Sequence, residues 1–261
     1  NPEVEDALAD AGRLWKKARI DHSYPHCWRC HNPVIFLATS QWFIGMDDSG
    51  LRAKAMAEVN AVQWFPAWGG DRMKGMFAGR PDWCISRQRS WGVPIPAVSC
   101  RRCGVATLTP ELIERAAKAF EQDGAEAWYE RPIGDFVPPG FECPSCHATE
   151  FDREQDILDV WFDSGSSHEA VLAVHPELRW PADLYLEGTD QYRGWFQSSL
   201  LVGLGTRDRA PYRQVLTHGF VVTDEGRKMS KSLGNDIPPE TVIKQSGAEI
   251  LRLWVASVDF R

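Results

Sequence analysis

The stretch Gly226-Arg227-Lys228-Met229-Ser230-Lys231-Ser232-Leu233-Gly234-Asn235 decides how the rest of the chain is read. Two lysines stand three residues apart between glycines, with two serines interleaved, directly after an apolar run. Glycine lets a loop take backbone angles that other residues avoid and approach a ligand closely. Lysine is a compact point charge suited to phosphate oxygens. Together they describe a loop able to close over a polyphosphate. The plainer alternative is a solvated basic turn, the commoner meaning of an isolated Lys-x-x-Lys.

The 261 residues are enough for one large domain or two smaller ones with real cores. A hydrophobic fraction of 43% with 25% charged residues is that of an ordinary globular protein, and no apolar run approaches the roughly 20 residues of a membrane helix. The sequence opens on the acidic Asn1-Pro2-Glu3-Val4-Glu5-Asp6, with neither an initiator Met nor a signal peptide. It is therefore expected to be a piece of a longer cytoplasmic protein. A net charge of −7 argues against a general nucleic-acid coat, but basic patches run from Arg72 to Arg89 and from Arg207 to Lys231.

Six cysteines fall into Cys-x-x-Cys pairs, Cys27/Cys30, Cys100/Cys103 and Cys143/Cys146, and Cys84 stands alone. With nothing to suggest secretion, metal ligation is favoured over disulfides. The second and third pairs are knuckles of the zinc-ribbon type, and two knuckles separated by an insertion predict a four-thiolate structural zinc site. Between them one helix is expected, with Thr109 as N-cap, Pro110 in the first turn, Leu112, Ile113, Ala116 and Phe120 on the apolar face, and Gly124 closing it. Cys27 and Cys30 read either as half of a metal site or as reduced buried thiols. His26 or His31 nearby would make only a cramped local site.

Elsewhere the periodicity predicts an amphipathic helix over 2–18, strand-like runs over 34–46, an aromatic turn at 63–70, and a short helix over 71–79. Arg80 to Pro96 is a basic, aromatic segment able to touch phosphates or stack on bases, or else a packed loop with salt bridges. Ile157, Leu158, Val160, Trp161 and Phe162 predict a buried strand; Asp159, Asp163 and His168 beside it invite a metal or acid–base reading. Loop and cap hydrogen bonds are the plainer account. A strand from Asp183, a polar loop and a helix to about Leu204 place Glu187, Asp190 and Gln191 at a strand's carboxyl end, where open α/β sheets bind ligands. A carboxylate there can accept from a ribose hydroxyl or an ammonium group, although Thr189 or Asp190 could simply cap the helix. Residues 214–222 predict a buried strand broken at His218-Gly219. Two helices divided by Gly247 follow, the second with a stripe of Ile250, Leu251, Trp254 and Val255 read as core or domain packing.

Lys-Met-Ser-Lys-Ser followed by Leu-Gly-Asn resembles the ATP loop of class I aminoacyl-tRNA synthetases. Trp83-Cys84-Ile85-Ser86-Arg87-Gln88, Asp159-Val160-Trp161-Phe162-Asp163-Ser164-Gly165 and Gln214-Val215-Leu216-Thr217-His218-Gly219-Phe220 occur in the right order, and the set is similar to the bacterial isoleucyl branch of that family more than to the valyl, leucyl or methionyl ones. The resemblance implies an α/β fold, the second half of a Rossmann-like catalytic domain with a small zinc-ribbon insertion. It divides the chain into the end of a connective peptide (1–95), the zinc-ribbon insertion (96–155), the half nucleotide fold with its lysine loop (156–245) and the start of a helical stem (246–261). It implies activation of isoleucine by ATP with Mg2+, then transfer to tRNA(Ile), by a protein that is monomeric at full length. Lys228 and Lys231 would hold the leaving pyrophosphate. Glu187, Gly188, Asp190, Gln191 and His218 would contact the adenylate, and Trp161 and Trp195 would line the isoleucine pocket. Cys100, Cys103, Cys143 and Cys146 would hold Zn2+, with Cys27 and Cys30 a second half-site completed by preceding sequence. The family's His-x-Gly-His motif does not occur in these residues, so the segment alone is expected to be inactive. The competing expectation is a zinc-ribbon nucleic-acid-binding module without catalysis.

Overall fold

The computed structural model describes residues 2–27, 30–230 and 234–260, in two units, Asn1–Ser40 and Gln41–Arg261. In the first unit, helix α1 spans Pro2–Asp10, shorter than the expected 2–18. Gly12 takes the left-handed conformation (φ 63°) and the Arg13 N–H bonds back to the Leu8 carbonyl, a glycine-closed helix end. Trp15, expected on the helix face, is 99% exposed. Of the strand-like runs over 34–46 only Phe43–Ile44 is a strand, in the second unit. Apolar composition does not make a strand without a partner to pair its backbone, and Ile35, Phe36 and Leu37 lie exposed.

The second unit begins with β1 (Phe43–Ile44), α2 (Leu51–Ala61), β2 (Gln63–Phe65) and α3 (Trp68–Ala78). The expected aromatic turn at 63–70 is thus a short strand and the start of a helix. β3 (Trp83–Cys84) pairs antiparallel with β1, and β4 (Ser86–Arg87) leads into a small module. That module holds β5 (Val98–Cys100), β6 (Ala106–Thr107), α4 (Pro110–Asp123), α5 (Ala127–Glu130) and β7 (Phe151–Arg153), its antiparallel sheet ordered β6-β5-β7. α4 forms as its sequence dictates: the Thr109 hydroxyl accepts from the Leu112 N–H at 3.3 Å, and Gly124 (φ 81°) ends it. Leu112, Ala116, Trp128, Phe136 and Phe151 give the module its own core.

β8 (Ile157–Leu158) pairs with β4. The buried strand expected through Phe162 stops there, and Val160–Gly165 is helix α6. A short apolar run does not separate strand from helix by periodicity alone. Asp159 decides it by capping α6, its side chain accepting from the Trp161 N–H at 3.4 Å. β9 (Tyr185–Gly188), a 3-10 turn Thr189–Arg193, α7 (Trp195–Arg207) and β10 (Gln214–His218) complete the layer that carries the site. The sheet is ordered β2-β10-β9 and is wholly parallel. α7 is buried from Phe196 to Leu204, as a helix enclosed on all sides must be. Its core partners include Met46, Val59, Trp64, Met73, Phe77, Tyr212 and Val215. α8 (Pro239–Ser246) and α9 (Ala248–Ser257) are divided at Gly247 (φ 82°). The α9 stripe is not buried in this chain, with Ile250 48% and Trp254 45% exposed.

Candidate functional site

Parallel strands point their carboxyl ends the same way, and in open α/β sheets that rim binds ligands. Here β9 ends at Glu187-Gly188, paired in register with Thr217-His218 of β10. Gly188 leaves the backbone open at this rim. A Cβ there would stand 2.9 Å from Asp190 Oδ1, 3.7 Å from His218 Cε1 and 3.6 Å from Phe220 Cε1. Glu187 is exposed and its carboxylate accepts from the Gly188 N–H at 3.0 Å. His218 Nδ1 donates to the Gly219 carbonyl at 2.7 Å, which leaves Nε2 as the acceptor of the neutral ring.

The lysine loop reaches the same rim. Residues 221–229 form a hairpin: Met229 N–H donates to Val221 O at 3.1 Å, Thr223 N–H to Arg227 O at 2.8 Å, and Gly226 (φ 74°) makes the turn. Asn235 ties the loop's far side, its Oδ1 accepting from Ser230 N–H at 2.8 Å and its Nδ2 donating to Lys228 O at 3.2 Å. Lys228 Nζ sits 3.5 Å over the Phe220 ring, a cation–π contact beside Gly188. Glu187, Gly188, Asp190, His218 and Lys228 therefore gather at one end of the sheet. Lys231 lies outside the described residues.

Gln191 has a second employment: its Oε1 accepts from Trp195 N–H at 2.8 Å and caps α7. Trp195 stacks on Tyr185, ring centres 3.9 Å apart at 8°, and its Nε1–H donates to Ser167 Oγ at 3.1 Å. Trp161 runs past Gly194, where a Cβ would fall 2.7 Å from the indole. Trp161 lines a cavity of about 290 Å³ with Arg80, Arg87, Asp159, Arg193 and Gln197; Trp195 is not in that lining. A neighbouring cavity of about 520 Å³ shares Arg80, Arg193 and Gln197.

The cavity's electrostatics are set by Asp159. It accepts from Trp83 Nε1–H at 3.3 Å and pairs with Arg87 Nη2 at 3.0 Å, besides capping α6. Burial lowers the Arg80 guanidinium, with Asp159 opposing, and Arg80 donates to Gln197 Oε1. Burial, then the charge of Asp159, raises Asp163. Sequence reasoning missed Arg193, Gln197 and Ser198 as lining residues. Helix α7 brings the last two there from a stretch that reads as plain core.

The four cysteines Cys100, Cys103, Cys143 and Cys146 place their sulfurs within 4.8 Å of one another, with Cys100–Cys146 and Cys103–Cys143 at 3.5 Å. Four thiolates about 2.3 Å from one ion stand roughly 3.8 Å apart, so the set fits a tetrahedral metal. Backbone N–H groups of Ser145, then Cys146, together with the neighbouring thiols lower Cys143 to about 6 despite its burial. The Ala148 N–H pulls Cys146 down, but burial and the three other thiols push it up to about 12. A dication would resolve that conflict. Both knuckles share one turn: Gly104 N–H donates to Cys100 O and Cys100 N–H to Val105 O, as His147 does to Cys143 and Cys143 to Ala148. In the first unit Cys27 repeats it, with His31 N–H donating to Cys27 O and Cys27 N–H to Asn32 O, each at 2.8 Å. The fifth residue has positive φ in all three, His31 59°, Gly104 74° and His147 57°. The described residues at Cys27, His31 and Asn32 thus repeat the closing turn of the other two knuckles.

The family of class I tRNA synthetases (I, L, M and V) matches residues 2–261. The chain is 56% identical over 261 residues to the isoleucine–tRNA ligases of Syntrophotalea carbinolica and of Geobacter sulfurreducens. All of the chain is covered in each case, and it spans 28% of their length. The Mycobacterium tuberculosis methionyl-tRNA synthetase bound by methionyl-adenylate shares the fold, with a TM-score of 0.53 and 19% identity, covering 88% of this chain and 35% of that one.

Proposed function

Because the chain belongs to the class I tRNA synthetases of the I, L, M and V group, we propose that it is the adenylate-binding half of the catalytic domain of an isoleucine–tRNA ligase. The observation that carries this reading is the convergence of Gly188, Asp190, His218 and Lys228 at the carboxyl end of a parallel sheet, beside a tryptophan-lined cavity. The whole enzyme would activate isoleucine with ATP, releasing pyrophosphate, and transfer the isoleucyl group to tRNA(Ile). This chain, with its share of the length of its relatives, would be inactive alone.

In that reaction the chain's residues position and neutralise rather than bond covalently. The bare backbone at Gly188 admits the nucleotide to the sheet rim, and Glu187, Asp190 and His218 offer acceptors to the ribose hydroxyls or the substrate ammonium. Gln191 sets the start of α7. Lys228 would leave the Phe220 ring for the phosphates, joined by Lys231, and balance the charge that develops on the leaving pyrophosphate. Trp161 and Trp195 wall the amino-acid side chain. Mg2+ would come with the ATP phosphates. Zn2+ would be held by Cys100, Cys103, Cys143 and Cys146 in a structural role, because four protein ligands leave no open position. Cys27 and Cys30 would be half of a second such site. A cytoplasmic monomer is expected at full length. A zinc-ribbon module without catalysis would leave the Gly188 rim and the lysine loop without purpose.

The test is amino-acid-dependent ATP–pyrophosphate exchange, with isoleucine and valine in competition, on the full-length protein and on this segment. Exchange with isoleucine by the full-length protein, lost in its Lys231→Ala variant, is the expected result. Preference for valine would overturn the specificity, and absence of exchange the reading itself.

A further inference from the structure

His168 is a fully buried titratable side chain of the catalytic layer that no step above uses. It opens a π-helical turn, His168–Leu172, just after α6, and its side chain is 0% exposed. Its Nδ1 lies 3.0 Å from Trp180 Nε1. An indole N–H only donates, so Nδ1 must accept and the ring's proton must sit on Nε2. Nε2 is buried with only a weak hydrogen bond to the Ser199 backbone of α7, and the Ser199 hydroxyl is buried facing Tyr185. The charged groups facing the ring are Glu169, whose Oε1 is 3.5 Å from Nδ1, and Arg207 of α7, which holds Glu169 at 2.6 and 2.7 Å. Burial disfavours the charged imidazole first; Glu169 opposes this, Arg207 adds to it, and the Ser199 backbone on α7 opposes it.

A weakly partnered buried donor costs stability, so the fold gains something by holding a histidine there. The neighbours indicate what. Ser167, the preceding residue, accepts from Trp195 Nε1, and the Tyr185 hydroxyl faces both Ser199 and Ser167. Trp195 in turn stacks on Tyr185. Three residues before His168, Gly165 brings α6 so close to α7 that a Cβ would be 2.9 Å from the Ser198 carbonyl carbon. Trp161 rides on α6 and Trp195 opens α7. His168 is therefore the polar pin at the junction that sets how the two indoles stand.

We propose that His168 is a positioning residue for the amino-acid pocket. As a neutral imidazole accepting from Trp180, it fixes the α6–α7 junction and with it the planes of Trp161 and Trp195. The inference rests on the reading of those two tryptophans as the pocket walls. It separates them from the Gly188 rim, which the junction does not build.

The experiment is ATP–pyrophosphate exchange on the full-length protein and its His168→Phe and His168→Gln variants. His168→Phe keeps a ring but removes the acceptor. It should raise KM for isoleucine roughly tenfold, the scale of a small misplacement of binding groups, while KM for ATP stays within about twofold. His168→Gln, which can still accept from Trp180, should recover most of the loss. Trp180→Phe removes the donor and keeps an aromatic ring under Arg207; it should move isoleucine KM in the same direction and serves if His168→Phe does not fold. Unchanged KM values in His168→Phe or Trp180→Phe would overturn the proposal. So would a joint rise of both KM values, the mark of a merely structural role, or a His168→Gln variant as impaired as His168→Phe. If the parent protein shows no isoleucine-dependent exchange, the synthetase reading fails first and the positioning role falls with it.

Discussion

Replacing Gly165 by alanine tests the closeness of the α6–α7 contact and has a sign that can be worked out in advance. A Cβ at 165 would lie 2.9 Å from the carbonyl carbon of Ser198, 3.0 Å from its oxygen and 3.1 Å from its Cβ, whereas ordinary contact begins at 3.4 Å. Two of those atoms are backbone and cannot rotate aside, so the helices must part by about half an ångström in a close-packed interior. Overpacking of this kind costs about 1–3 kcal/mol, and the upper half of that range applies when backbone must move. Alanine returns about 1 kcal/mol through helix propensity and the unfolded chain's lost freedom. The net expectation is a loss of about 1–2 kcal/mol. For a unit of 150–250 residues each kcal/mol moves Tm by about 2–4 °C, so Tm should fall by about 2–8 °C. Gly205 on α7 supplies the control, for it is exposed and a Cβ there would meet nothing within 4 Å. Gly205→Ala should hold or gain up to about 1 kcal/mol. Urea and thermal unfolding followed by tryptophan fluorescence would measure both. A Gly165→Ala protein as stable as its parent would refute the backbone contact, and with it the tight junction on which Trp161 and Trp195 depend.

Tyr212 is 1% exposed and its hydroxyl donates to the Phe196 carbonyl at 2.9 Å; burial, first of all, raises its hydroxyl well above the usual range, so it donates as a neutral group. Tyr212→Phe should cost about 1 kcal/mol in urea unfolding, whereas Tyr212→Ala should cost about 3–5 kcal/mol through the cavity it leaves. Zinc titration of the chain should show a site that Cys143→Ser abolishes, and chelation should unfold the small module around α4 while the parallel sheet persists; a parent chain that takes up no zinc under reducing conditions would count against the cluster as a metal site. Glu169 is lowered first by its hydrogen bonds from Arg207. A depressed carboxylate stabilises the fold above its unfolded pKa and loses that contribution as pH falls through the carboxylate range. Glu169→Gln should therefore flatten the acid limb of the stability profile, and an unchanged slope would show that the pair does not couple to folding.

Local rules made much of this chain readable. Thr109, Pro110 and Gly124 bound α4 because caps act on their own backbone neighbours, and Gly247 separates α8 from α9 for the same reason. The Cys-x-x-Cys knuckles announce metal ligands because two thiolates at that spacing serve a single ion. The strand ends at Gly188 and His218 were visible as apolar runs meeting glycine. Other features depended on partners remote in sequence. Residues 34–37 have the composition of a strand, yet backbone pairing is decided by what lies alongside, and there no strand forms. The run through Asp159-Val160-Trp161-Phe162 suits strand and helix alike, and only the Asp159 cap against Trp161 N–H settled it. The sheet order β2-β10-β9 pairs β10 with β2 across about 150 positions and with β9 across about 30, pairings no local propensity encodes. Trp161 meeting Gly194 follows from α6 and α7 packing backbone to backbone, and Arg80 reaching Gln197 and His168 lodged against Trp180 exist only once the chain has folded. Sequence determined the chemistry available and the ends of the elements, because both are short-range. Tertiary packing decided which side chains meet, because close contact between distant segments is fixed by the shape of the whole core.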